Sequence, residues 1–168
     1  MYEKILTRRS VRKYAPQQIT DAELDKVLEA GLYAPTAKNN QKPIMVAVRD
    51  KETRDLLSRA NAAIMGVETD PFYGAPCVIV VLADPAFHTW IDDGSLVMGN
   101  LLNAAHAIGL GSCWINRARE FFDMEEGKAL LKKWGIPETY RGVGNCILGY
   151  AEETPEPKAR VEGRIYKV

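Results

Sequence analysis

Between Leu6 and Pro16 the chain reads LTRRSVRKYAP, which places Arg8, Arg9, Arg12 and Lys13 around Ser10. Guanidinium forks and a short hydroxyl in one run are the groups that hold a phosphate through charge-assisted, bidentate hydrogen bonds. The spacing sorts them. In an extended or loosely turned segment Arg8, Ser10 and Arg12 project to one side, while Arg9 and Lys13 point away. A phosphate of charge about −2 is matched by two such arginines and a hydroxyl. A second cationic pair, Lys158 and Arg160, follows Pro155 and Pro157 near the other end, and would complete the same anion site if that tail docks. The bland alternative is a solvated basic N-terminus.

The 22 basic residues of the chain are balanced by 22 acidic ones, which argues against a nucleic-acid partner, and the basic run lacks interleaved aromatics. The phosphate-loop pattern G-x-x-x-x-G-K-[ST] is missing, and GLGSCW lacks the third glycine of the dinucleotide fingerprint. No apolar run approaches the ~20 residues of a membrane span, and MYEKILTRRS has no hydrophobic leader, so a soluble, cytoplasmic protein with no membrane partner is expected. Cys77, Cys113 and Cys146 sit in apolar segments and read as buried, inert thiols. His88, Asp92 and Asp93 could share a helical face, yet nothing completes a metal shell; no metal is expected, and the acidic pair reads as a complement to a helix dipole. His106 reads as a core or helix-end histidine. Ser95 and Ser112 have no partner pattern for a nucleophile.

These residues need a scaffold, and 168 residues with 46% hydrophobic and 26% charged suffice for one globular domain. Thr20 and Glu23 form a capping box ahead of Leu24, Val27, Leu28 and Leu32, which predicts a helix from Asp21 to about Tyr33. Ile44–Val48 reads as a short strand, and Asp50 caps a helix with Leu56, Leu57, Ala60 and Ile64 on its buried stripe. CVIVVLA, Cys77–Ala83, is apolar throughout and suits a central strand covered on both faces. Ile91–Ile108 reads as the core helix, stopped by Gly109 and Gly111; SCWIN follows as a third strand. Asp123 with Glu126 opens a helix burying Leu130, Leu131 and Trp134, and GVGNCILGY is the fourth strand. Alternating helices and strands suggest a layered sheet with helices on both faces. Beyond Tyr150 the charged, proline-bearing tail cannot form a core of its own and must be disordered or docked.

RRSVRKYAPQQIT, APTAKNNQ, AAHAIGLGSCWI and GYAEETPEPKAR resemble, in that order, four signature regions of the FMN-dependent nitroreductase family. The resemblance implies an α+β fold with a mixed, mainly antiparallel central sheet flanked by helices. It implies an intertwined homodimer with FMN sites at the subunit interface. Residues 1–150 would form the single domain, and residues 151–168 an exchanged extension wrapping the partner. By motif match, Arg8, Ser10, Lys158 and Arg160 would hold the FMN phosphate and ribityl chain, with Arg9 contributing through its backbone. Arg12 would face the N1 and C2 carbonyl side of the ring, where a fixed cation stabilises the charge that develops when N5 accepts hydride. The backbone at Asn116 or Arg117 would donate near N5. Pro35, Thr36, Ala37, Asn39 and Gln41 would come from the other subunit; the family's Gln-Pro-Trp is here Gln41-Lys42-Pro43-Ile44. Asn61 is a further candidate for the pyrimidine edge.

The activity implied is hydride transfer from NADH or NADPH through the flavin to a small, electron-poor acceptor such as a nitroaromatic or quinone. Two alternatives stay open: a non-catalytic flavin-binding module, and a specialised branch of the fold that destroys flavin or removes halide reductively. The short Gly66–Ala75 connection leaves little room for the lid of such a branch. Phe72, Tyr73, Trp90 and Trp114 either line a substrate pocket or merely pack.

Overall fold

Four strands, β1 (Ile44–Val48), β2 (Cys77–Ala83), β3 (Gly111–Ile115) and β4 (Arg141–Gly149), form one sheet in the order β1-β2-β4-β3. The structure, a computed structural model, describes residues 2–168. Among the described residues six α-helices accompany the sheet: α1 (Tyr2–Thr7), α2 (Asp21–Leu32), α3 (Lys51–Met65), α4 (Trp90–Ala107), α5 (Ala118–Asp123) and α6 (Glu125–Lys133). The α+β class and the mainly antiparallel sheet are as expected: among the described residues all three strand pairings are antiparallel. Among the described residues the parallel component is an isolated bridge between Ser10 and Ser112.

β2 explains why the layers form. Its residues are buried without exception, and alternation sends Val78, Val80 and Leu82 into one core while Cys77, Ile79 and Val81 enter the other. The first core includes Leu57 of α3, Phe122 of α5 and Leu131 of α6. The second includes Val27 of α2 and Met98 and Leu101 of α4. Each such side chain contributes roughly 1.5–3 kcal/mol of burial, so the double-sided strand anchors both layers.

Local signals place the helices. The Thr20–Glu23 box is reciprocal: the Glu23 amide donates to Thr20 Oγ1 and the Thr20 amide to Glu23 Oε2. Asp50 accepts from the Thr53 amide at the start of α3, which ends at the left-handed Gly66. α1 was not foreseen because none of its residues is buried, so it carries no periodic stripe. The helix expected to open at Asp123 is α6, which starts at Glu125 and buries Leu130 and Leu131; across a break at Met124 the preceding residues form an unforeseen helix, α5, whose last residue Asp123 pairs with Arg141. Gly127 permits the break: a Cβ there would lie 2.1 Å from the Phe121 carbonyl oxygen.

Residues 8–16 are extended because the edge of β3 pairs with them. The Val11 amide donates to the Ser112 carbonyl at 3.0 Å, and the Ala15 amide to that of Tyr150 at 2.9 Å. The tail returns along the same segment, with a Tyr14–Ala151 bridge and the Glu152 amide on the Lys13 carbonyl at 2.9 Å. Farther on, Val161, Ile165 and Tyr166 are exposed and no regular element forms. No described helix is long and apolar enough to cross a membrane.

Candidate functional site

The cationic segment separates into committed and uncommitted groups. Arg9 folds back, its Nη1 donating to the carbonyls of Leu6 at 2.9 Å and Arg8 at 2.7 Å, and so closes the end of α1. Lys13 lies 4.0 Å from Glu152. Arg8 differs, for its Nη1 is buried and has no hydrogen-bond partner among the described residues. A buried, charged donor left unmatched is costly, so an anion there would remove a penalty as well as add a bond. Ser10 is half-buried beside it in sequence, and Ser112 Oγ, on the strand Ser10 bridges, is also buried without a partner. His106, at the end of α4, has Nε2 2.9 Å from Thr7 Oγ1. Burial, then the charges of Lys4, Arg8 and Arg9, hold that imidazole below its ordinary pKa, as a cationic pocket does.

Arg12 is exposed, its backbone amide held by Glu153 of the tail. Its guanidinium carbon is 6.0 Å from the centre of the Tyr73 ring. The loop carrying Tyr73 is fixed from below. Arg54 of α3, nearly buried, donates to the Ala75 carbonyl at 3.0 Å and to Asp70 at 2.6 Å. Asp70 also accepts from Ser58 and from the amides of Phe72 and Gly74. Burial alone would raise the Asp70 carboxyl, but these bonds outweigh it and hold its pKa below the ordinary value. Phe72 is wholly buried, with the Arg54 guanidinium 5.5 Å from its ring centre.

Asn61 lies in the core at 2% exposure, accepting from Asn145 of β4 at 3.4 Å, and so is not at the surface that carries Arg12. Asn145 pairs in register with Ile115, so this buried amide pair sits beneath the strand end that leads to Asn116. Asn116 and Arg117 are exposed, and Arg117 holds a left-handed φ of 78° with its side chain on Glu120. Lys158 and Arg160 are exposed, with no ion pair among the described residues. Trp114 packs over Gly144, and Trp90 stands between the Arg119 and Arg141 guanidiniums.

Pro35 and Thr36 lead into a single 3-10 turn, Ala37–Asn39, in which Lys38, Asn39 and then Gln41 take left-handed φ of 54°, 53° and 51°. Gln41 donates from its amide to Thr36 Oγ1 at 3.1 Å and from its side chain to Asn39 at 3.1 Å. The Ala37 amide and the Asn40 side chain both reach Asp93 on α4 at 2.9 Å. Asp93 and His106 are thirteen residues apart (106 − 93) on one straight helix, roughly 20 Å. One copy of the chain lines a cleft at the His106 end of α4 with Thr7, Arg9, Val11 and the tail as far as Pro157, and holds Pro35–Gln41 near the other end.

Arg54, Asp70 and Glu153 were not foreseen as site residues, Asp93 was read only as a complement to a helix dipole, and Tyr73 only as a residue that lines a pocket or packs. One signal was present: Asp93, Val97 and Leu101 recur at four-residue spacing, so a carboxylate sits on the buried stripe of α4 and must find donors off the helix.

The sequence model of the Nitroreductase family matches residues 5–150. An Archaeoglobus fulgidus protein with the provisional name NADH dehydrogenase/NAD(P)H nitroreductase is 36% identical over 155 residues, covering 89% of this chain and 84% of the relative. The NADPH-flavin oxidoreductase of Vibrio harveyi is 29% identical over 174 residues, 97% of this chain and 70% of its own length. Among solved structures, a Bacteroides fragilis nitroreductase with bound FMN superposes with a TM-score of 0.91 at 29% identity, covering 99% and 97% of the two chains. An FMN-bound nitroreductase from Desulfitobacterium hafniense gives 0.87 at 25%, with 99% and 97% covered.

Proposed function

The chain belongs to the nitroreductase family, and from that premise we propose an FMN-dependent oxidoreductase that takes hydride from NADH or NADPH and reduces a small, flat, electron-poor acceptor such as a nitroaromatic or quinone. The observation that carries the reading is Arg8, whose buried Nη1 has no partner among the described residues. The residues fit the cofactor's phosphate: Arg8 and Ser10 offer a fork and a hydroxyl, while Arg9 and Lys13 are spoken for. Bound FMN would supply the hydride acceptor and donor, which agrees with a site that has no nucleophile or acid–base triad.

The chain's own residues then bind, orient and polarise. Arg12, braced on Tyr73 and by Glu153, places a fixed positive charge toward the pyrimidine edge of the ring. The backbone at Asn116 and Arg117 offers N–H groups at an exposed strand end, and the left-handed Arg117 turns the chain there. Asn61 supports that strand end from the core rather than meeting the ligand.

The complete site needs two copies. Pro35, Thr36, Ala37, Asn39 and Gln41 are supplied to the partner's site, a division supported by the roughly 20 Å of α4 between Asp93, which holds their turn, and His106. Residues 1–150 act as the folded domain and 151–168 as an extension laid on the other subunit, bringing Lys158 and Arg160 to the phosphate. Apolar side chains at Tyr2, Ile5, Leu6, Leu32 and Tyr33 are exposed in one copy, as an uncovered subunit contact would leave them.

Purified protein tests the reading. It should be yellow or take up FMN, bleach under anaerobic NADH or NADPH, and recover its colour with a nitroaromatic or quinone. Colourless protein that ignores added FMN contradicts it, and colour without bleaching would leave only a flavin-binding module.

A further inference from the structure

Asp93 is 3% exposed, yet its carboxylate caps no amide of its own helix. Its three hydrogen bonds come from the Ala37 amide at 2.9 Å, Asn40 Nδ2 at 2.9 Å and Thr89 Oγ1 at 3.1 Å. Two of these donors belong to the turn after Pro35, more than fifty residues away in sequence. A role confined to the helix dipole would not require them. The turn needs holding, because no residue of Ala37–Asn39 is buried and packing alone cannot fix it. It is also strained: Lys38, Asn39 and Gln41 all lie in the left-handed region that non-glycine residues avoid. Asn and Asp tolerate that region through local hydrogen bonds, whereas Lys and Gln do so only when the surroundings impose it.

The charge on Asp93 is what makes the arrangement work. Asn40 Oδ1 accepts from the Lys42 amide at 2.9 Å, so its Nδ2 must face Asp93. Both Asp93 oxygens are therefore committed as acceptors, one to the Ala37 amide and the other to Asn40 and Thr89. An asparagine at position 93 would turn an NH2 group toward one of those donors.

We propose that Asp93 is a positioning residue: from the first turn of α4 its carboxylate holds Thr36–Gln41 in the strained conformation that borders the flavin ring of the partner subunit's site. This rests on the FMN reading above. Asp93 itself touches no ligand and acts through the turn.

The test is a double-mutant cycle on cofactor-free protein titrated with FMN, followed by quenching of flavin fluorescence, with thermal unfolding of each variant run alongside. Lys38, exposed and left-handed, supplies the second site, because glycine takes that conformation without steric cost. Asp93→Asn should weaken FMN roughly tenfold, the loss of about one charge-assisted hydrogen bond. Lys38→Gly alone is the reference leg of the cycle, since Lys38 lies within the turn and its own effect on FMN binding is divided out by the comparison. The double variant should recover several-fold over Asp93→Asn and, because glycine relieves the strain at position 38, should melt no lower than Asp93→Asn. Asp93→Asn binding FMN as tightly as wild type overturns the proposal. So does an equal loss in the single and double variants accompanied by a lower melting temperature, which marks a merely structural carboxylate. Wild-type protein that binds no FMN overturns the cofactor reading and this inference with it.

Discussion

The Arg12 guanidinium lies over the face of Tyr73, its carbon 6.0 Å from the ring centre. Neither residue is buried, and the aromatic face limits where the charge can go. A cation–π contact at an exposed position contributes roughly 0.5–1 kcal/mol, small but directional. If this charge stabilises the reduced flavin, Tyr73→Ala should lower the two-electron midpoint potential by about 10–20 mV, and Arg12→Ala by more than 30 mV. Equilibration with a reference dye reads both. Unchanged potentials would detach Arg12 from the ring's pyrimidine edge.

Arg54 and Asp70 hold the loop that presents Tyr73. Arg54 has little contact with water, and its Nη2 is 2.6 Å from Asp70. Asp70→Ala leaves that guanidinium with one fewer partner and frees the amides of Phe72 and Gly74. The expected cost is about 3 kcal/mol in chemical denaturation, more than a surface ion pair would give. A loss under ~0.5 kcal/mol would mean that the loop is held by Phe72 packing alone.

The same carboxylate sets a pH dependence. Burial pushes Asp70 upward, but hydrogen bonds from Ser58, Arg54 and the Gly74 and Phe72 amides prevail, and its folded pKa lies below the ordinary value. A depressed carboxyl contributes stability that is fully present above the unfolded pKa, about 3.9, and lost as pH falls through the folded value. Asp93 behaves alike: burial is outweighed by the Ala37 amide, Asn40 and Thr89. Melting temperature should therefore decline on acidification below about pH 4. The decline should be shallower in Asp70→Asn than in wild type. Parallel curves would remove Asp70 from the account.

Among the described residues the tail from Thr154 onward makes no hydrogen bond to its own chain, whereas Ala151, Glu152 and Glu153 are bonded beside Arg12–Ala15. Truncation after Glu153 should therefore preserve the fold of the domain while weakening both self-association and FMN binding, since Lys158 and Arg160 are removed. Sedimentation and FMN titration measure the two effects. A truncated protein that dimerises and binds FMN as before would show that the extension serves neither.

Much of the scaffold was legible before any coordinates, because its signals are local. The Thr20–Glu23 box, the Asp50 cap and the unbroken apolar run of β2 each decide their element within a few residues. The Met124 break was hidden, since it depends on Gly127 meeting Phe121 across two helices rather than on a turn motif. The order of the strands in the sheet was also out of reach, because pairing is set between strands far apart in sequence.

The site divided in the same way. Alternation along residues 8–13 put Arg9 and Lys13 on the side away from Arg8; in the structure Arg9 bonds the Leu6 and Arg8 carbonyls and Lys13 lies beside Glu152. The supporting residues were invisible because they work across the fold: Asp93 to a turn near Ala37, Arg54 to Asp70, Glu153 to the Arg12 amide. Asn61 was a candidate for the pyrimidine edge through its place before the DPFYGAP segment, and the structure shows it buried and bonded to Asn145.

The central claim is that the unmatched Arg8 guanidinium exists to meet a phosphate, and the direct measurement compares FMN with riboflavin, which lacks that group. Cofactor-free wild-type protein should bind FMN on the order of a hundredfold more tightly than riboflavin, the worth of one or two charge-assisted bonds. Arg8→Ala should remove most of that preference while leaving riboflavin affinity unchanged. Equal affinity for the two flavins, or a preference that survives Arg8→Ala, would contradict it.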